Sequence, residues 1–117
     1  MKNFRTNFLT PGQARQLAKE HGTPLYVYSR LQLQAQAKAA LAVEAPYGLT
    51  VRYAMKANPN EDILALFREA GLQIDVSSSY EAETALAIGF RGEHILLTSQ
   101  QFWHLARIRT SHSRTGR

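Results

Sequence analysis

From Thr50 onward the sequence repeats one pattern: a short β-rich run, a brief polar loop, an apolar-striped stretch of helix formers, and a glycine. The β-rich runs are Thr50–Met55, Leu72–Ser77 and His94–Thr98, recurring about every 21–24 residues. Such alternation constrains the fold more than any other feature. Parallel strands cannot be joined by a tight turn, so each needs a helical crossover, and crossovers of this kind are right-handed. Between the runs, Asn60 predicts an N-cap, with Glu61 and Asp62 in the first helical turn, where the positive end of the dipole favours acids. The core face of that helix is Ile63, Leu64, Leu66 and Phe67, and Gly71 ends it. Ser78 or Ser79 caps the next helix, whose apolar face includes Ala82, Ala85, Leu86 and Ile88, with Gly89 as its stop.

The first half reads as helix, strand, helix. Thr10 is a suitable N-cap and Pro11 tolerates the first helical position, where the N–H has no intrahelical partner. That helix runs to about His21 and stops at Gly22. Leu25–Ser29 (LYVYS) is expected as a short strand. Leu31 to Val43 is expected as a helix with its apolar stripe through Leu33, Ala37, Ala40 and Leu41, ended by Pro46 and Gly48. An α/β chain of this order fits either an open doubly wound sheet or part of a (β/α)8 barrel. No G-x-G-x-x-G or Walker A sequence favours a nucleotide-binding sheet.

Composition narrows the function. The 117 residues hold no cysteine, and the hydrophobic fraction is 44% against 20% charged, a globular profile. No apolar run reaches the ~18 residues of a membrane-spanning helix, and the N-terminus lacks the apolar centre of a signal peptide. The expectation is a cytoplasmic chain. The net charge of +5 is easily misread, because every acid lies at or before Glu93. Arg107, Arg109, Arg114 and Arg117 then follow with no acid among them. The basic excess belongs to a tail rather than to a folded surface, which argues against nucleic-acid binding. Residues 102–117 are expected to be a poorly specified basic tail. The change of character after Gln101 is what a truncation or a shift of reading frame would produce.

Chemistry concentrates at Lys56. It directly follows the run Val51, Tyr53, Met55, at the carboxyl end of a parallel strand, where α/β active sites form. A lysine there can form a Schiff base with a carbonyl, or it can simply be a surface lysine in a loop. The histidines, His21, His94, His104 and His112, have no metal-ligand spacing, so no metal is expected. Ser77, Ser78 and Ser79 lack the nucleophile-elbow pattern and suit turn and cap duty.

Three segments tip the balance at Lys56. TPLYVY at 23–28, YAMKAN at 53–58 and DVSSSYE at 75–81 stand in the order and spacing of the fold-type III, alanine-racemase-like, pyridoxal-phosphate decarboxylases. The chain resembles that family over residues 10–101, with the diaminopimelate decarboxylase type as the nearest branch. ILLTSQ at 95–100 fits the same branch.

The resemblance implies a partial (β/α)8 barrel: its first three βα units (49–101), preceded by an N-terminal helix and an extra strand (1–30). It implies pyridoxal 5'-phosphate as cofactor and Lys56 as its covalent anchor and proton carrier. Asp75 matches an acid placed near that lysine, and Ala54 a small residue that leaves the cofactor room. Asn58 would shape the following loop, and Ser77 and Glu81 match family positions, with helix capping as the other role for Glu81. The implied substrate is a small amino acid, and full-length family members are expected to be homodimers. Ser79-Tyr80, Met55 and Ser29 depart from the family pattern, which loosens the choice between diaminopimelate, ornithine, arginine and related substrates. The family's phosphate-gripping loop, its ring-stacking histidine and its second domain have no counterpart in these residues. The resemblance therefore also admits an inactive N-terminal fragment or a non-catalytic product.

Overall fold

The structure is a computed structural model that describes residues 8–98. Helix α1, Pro11–His21, begins with a reciprocal cap. The Gln13 amide N–H donates to the Thr10 hydroxyl at 3.2 Å, and the Thr10 N–H donates to Gln13 Oε1 at 2.9 Å. It buries no side chain fully. Helix α2, Arg30–Leu41, is capped by Ser29. Ala37 is buried along its expected stripe, Leu33 and Ala40 are half-buried, and Leu41 is exposed.

Beyond α2 come β1 (Arg52–Ala54), α3 (Glu61–Glu69), β2 (Gln73–Val76), α4 (Ser79–Ile88) and β3 (Ile95–Leu97). The three strands form one parallel sheet in the order β1-β2-β3. This is the expected β-α-β-α-β run, an α/β architecture with helical crossovers.

The register decides which side chains share a face. Tyr53 pairs with Ile74 and Ile74 with Ile95; one row along, Val76 pairs with Leu97. These residues join Met55, Leu64, Ala82, Ala85, Phe90 and Ile88 in one core cluster under α3 and α4. A second cluster, Ala37, Ile63, Leu66, Phe67 and Leu72, lies between α3 and α2. Helix α3 thus buries two faces, which is why Ile63, Leu64, Leu66 and Phe67 are all buried. Tyr53 packs against both clusters, its ring 4.6 Å from that of Phe67 and tilted 53°.

Strand residues alternate faces, so Arg52, Ala54, Gln73, Asp75 and Leu96 point away from that core. Each of them is at least partly exposed. Among the described residues, α3 and α4 cover one face of the sheet and leave the other open.

Three boundaries correct the sequence reading. Leu25–Ser29 is not a strand. Its β propensity is local, but a strand needs a ladder partner, and none pairs with it among the described residues. Tyr26 and Tyr28 are accordingly exposed. Strand β1 ends at Ala54, because Met55–Ala57 winds into a single 3-10 turn. His94 closes another 3-10 turn, Gly92–His94, before β3 begins. The tail expected at 102–117, with Trp103, His104 and His112, lies outside the described residues.

Candidate functional site

In a parallel sheet all carboxyl ends lie at one edge of the layer, and here that edge gathers most of the candidate residues. Lys56 sits in the 3-10 turn directly after β1. It is exposed, and it makes no ion pair among the described residues. The loop after it is set by side chain-to-backbone bonds. Asn58 Oδ1 accepts the Asn60 N–H at 3.0 Å, and Asn60 Oδ1 accepts the N–H groups of Asp62 and Ile63 at 3.1 and 3.2 Å. The chain can therefore turn from β1 through Lys56 into α3 within a few residues, with the first turn of α3 satisfied.

Asp75 is the third residue of β2, half-buried on the open face. Its Cα partners are Ala54 on β1 and Leu96 on β3. The fold thus brings two of the candidate residues, Ala54 and Asp75, side by side, with Lys56 two residues past the end of β1. Lys56 and Asp75 do not form an ion pair. Asp75 Oδ1 instead accepts a hydrogen bond from the Thr98 hydroxyl at 2.5 Å. Asp75 Oδ2 has no partner among the described residues.

Ser77 and Glu81 are used locally. The Ser77 N–H donates to Glu81 Oε2 at 2.6 Å, and the Glu81 N–H donates to the Ser78 hydroxyl at 3.2 Å. Glu81 acts at the start of α4, the capping role open to it from the sequence. Ser78, rather than Ser79, is the N-cap.

Two residues at or near this layer escaped the sequence reading. Thr98 is one; its signal is the alternation Leu96, Thr98, which places it on the face of Asp75 once the register is known. Gln73 is the other, with a buried Oε1 that has no hydrogen-bond partner. A groove of about 260 Å³ between the N-terminal ends of α2 and α3, lined by Tyr28, Arg30, Asn60 and Asp62 among others, includes neither Lys56 nor Asp75. No group of histidines and acids among the described residues could hold a metal ion.

A covalently held aldehyde cofactor asks for an amine that is reachable, not committed to an ion pair, and beside open space. Lys56 meets the first two conditions, and the uncovered face with the small Ala54 side chain meets the third. The donor set fits an aldehyde. Asn60 accepts the Asp62 and Ile63 N–H groups of α3 and Ser78 the Glu81 N–H of α4, so part of each helix N-terminus is already capped.

The family described as "Pyridoxal-dependent decarboxylase, pyridoxal binding domain" matches residues 31–112. A diaminopimelate decarboxylase of Streptomyces coelicolor is 42% identical over 74 residues, covering 63% of this chain and 16% of that protein. The Bacillus subtilis diaminopimelate decarboxylase is 41% identical over 81 residues, covering 68% of this chain and 18% of its own. That of Zymomonas mobilis is 37% identical over 86 residues, or 71% and 20%. The chain therefore spans about a fifth or less of the length of these relatives. With the family match running through both crossovers and the Lys56 turn, the chain belongs to the pyridoxal-binding domain family of the pyridoxal-dependent decarboxylases.

Proposed function

We propose that this chain contributes the lysine-bearing segment of a pyridoxal-phosphate barrel in an amino-acid decarboxylase of the diaminopimelate type, whose products are lysine and carbon dioxide. The observation that carries this reading is the position of Lys56: exposed, free of ion pairs among the described residues, in the turn at the carboxyl end of β1. In this reading the open face of the sheet is the barrel interior, and residues 49–101 are its consecutive βα units. The described part comprises two complete units and a third strand.

Lys56 Nζ would hold the cofactor aldehyde covalently and, once displaced by the substrate amine, carry a proton to or from the reacting carbon. When bound, pyridoxal phosphate supplies a sink for the electron pair left behind as the α-carboxylate departs. Asp75, at the same end of the open face, offers a negative charge to orient the Lys56 ammonium. Ala54 keeps the neighbouring strand position free of bulk. A small amino-acid substrate accompanies this reading, in keeping with the names of the three relatives; a cytoplasmic setting and a homodimeric full-length protein are the sequence-based expectations that go with it. No helix among the described residues is long and apolar enough to cross a membrane.

The test is to add pyridoxal phosphate to the chain, follow its visible absorption, reduce with borohydride, and locate the label by peptide mass spectrometry. The label is expected on Lys56, and Lys56→Ala is expected to lose the visible band while Lys19→Ala and Lys38→Ala keep it. The test reads attachment at Lys56 and does not depend on turnover. A band that survives in Lys56→Ala would falsify the assignment.

A further inference from the structure

Asp75 is held by Thr98, which lies within the ILLTSQ segment but to which the sequence alone assigns no role. On β1 its neighbour is Ala54, and on β3 it is Leu96, so neither Cα partner can donate a side-chain hydrogen bond. Thr98 can. It lies two residues past Leu96 and so on the same open face. Its backbone N–H donates to the Val76 carbonyl at 2.9 Å, which extends the β2–β3 ladder by one bond. That bond fixes the Thr98 backbone beside the end of β2, and from there its hydroxyl reaches back to Asp75 Oδ1 at 2.5 Å. A hydroxyl donating to a carboxylate is a strong, charge-assisted bond, and it selects one carboxylate orientation.

We infer that Thr98 is a positioning residue for the lysine–cofactor site. It occupies Oδ1 of Asp75, fixes the plane of the carboxylate, and leaves Oδ2 to face the group attached at Lys56. Thr98 touches neither substrate nor cofactor and acts only through Asp75. It matters in this way only if Lys56 carries the aldehyde, as proposed above.

The experiment titrates pyridoxal phosphate into the full chain and reads the visible band, both its apparent affinity and its pH midpoint, with circular dichroism as a check on folding. Thr98→Val keeps the β-branched shape and the backbone N–H but removes the hydroxyl. It is expected to weaken attachment by about three- to tenfold and to move the pH midpoint. Thr98→Ser, which restores the hydroxyl, is expected to return both to within about twofold of the original. In a double-mutant cycle, Thr98→Val added to Asp75→Asn is expected to cost little more than Asp75→Asn alone, because the two act as one unit. If Thr98→Val perturbs the fold, the cycle is run with Thr98→Ala. Loss of the band in Lys56→Ala together with an unchanged Thr98→Val, or with additive effects in the cycle, removes the role of Thr98 and leaves the anchor standing. A band retained in Lys56→Ala removes the anchor, and Thr98 loses its role with it.

Discussion

Asn60 shows how much one side chain can decide next to a site. Its Oδ1 accepts two N–H groups of the first turn of α3, while its own N–H is held by Asn58 Oδ1. Together these bonds set the path of the loop that follows Lys56. Removing the cap with Asn60→Ala leaves two helix donors to water and is expected to cost about 1 kcal/mol, within the ~0.5–2 range for such caps. Asn60→Ser, which can still accept, should recover most of it. Urea denaturation followed by circular dichroism measures both, and equal midpoints for Asn60→Ala and the unsubstituted chain would show that the cap contributes nothing. The loop also links stability to chemistry. A frayed α3 start loosens the turn carrying Lys56, so Asn60→Ala should weaken pyridoxal-phosphate attachment along with stability.

At the level of elements, the ends of the helices carry most of what the sequence specifies. Gly89 follows α4 with φ 101°, a left-handed conformation that side chains other than glycine's rarely adopt. Arg68 of α3 reaches across and donates from Nη1 to the Ile88 carbonyl at 3.0 Å, tying the end of α4 to the neighbouring helix. A Cβ at Gly89 would overlap that same Nη1. Gly89→Ala therefore strains the backbone and displaces the arginine, an expected loss of about 1–3 kcal/mol by chemical denaturation. In an Arg68→Ala background only the backbone part remains, so the same substitution should cost less there. Equal costs in both backgrounds would mean that the Arg68 bond contributes nothing.

Such stops and caps were legible because they are local: Thr10, Asn60, Gly71 and Gly89 act on their own turn. Leu25–Ser29 was not, because a β-rich segment becomes a strand only when another strand bonds to it. The position of Lys56 after a strand was legible too, but not the 3-10 turn at Met55–Ala57. The bond from Thr98 to Asp75 was hidden for a different reason. It depends on the register between β2 and β3, and register is fixed by how Ile74, Val76, Ile95 and Leu97 pack under α4, not by any one segment. The orphaned Gln73 Oε1 is hidden in the same way.

Across the whole molecule, the sheet is asymmetric, with an apolar face under two helices and an open face bearing Arg52, Gln73 and Asp75. The two core clusters meet at Tyr53, so the protonation of that one phenol reports on the packing of both. Burial, and to a lesser degree the nearby Tyr28, push Tyr53 above its ordinary value of 10.0. The folded chain therefore holds this proton to higher pH than the unfolded chain does. Below the unfolded value the contribution is fully present, and as pH rises through about 10 toward the folded value it is lost. Stability should fall more steeply above pH ~10 in the unsubstituted chain than in Tyr53→Phe, which keeps the ring against Phe67 but has no proton to lose. All other residues are the same in the two proteins, so the difference between the two curves reports the Tyr53 proton. Urea midpoints between pH ~8 and ~11 give that difference, and parallel curves would place the phenol in the same surroundings whether the chain is folded or not.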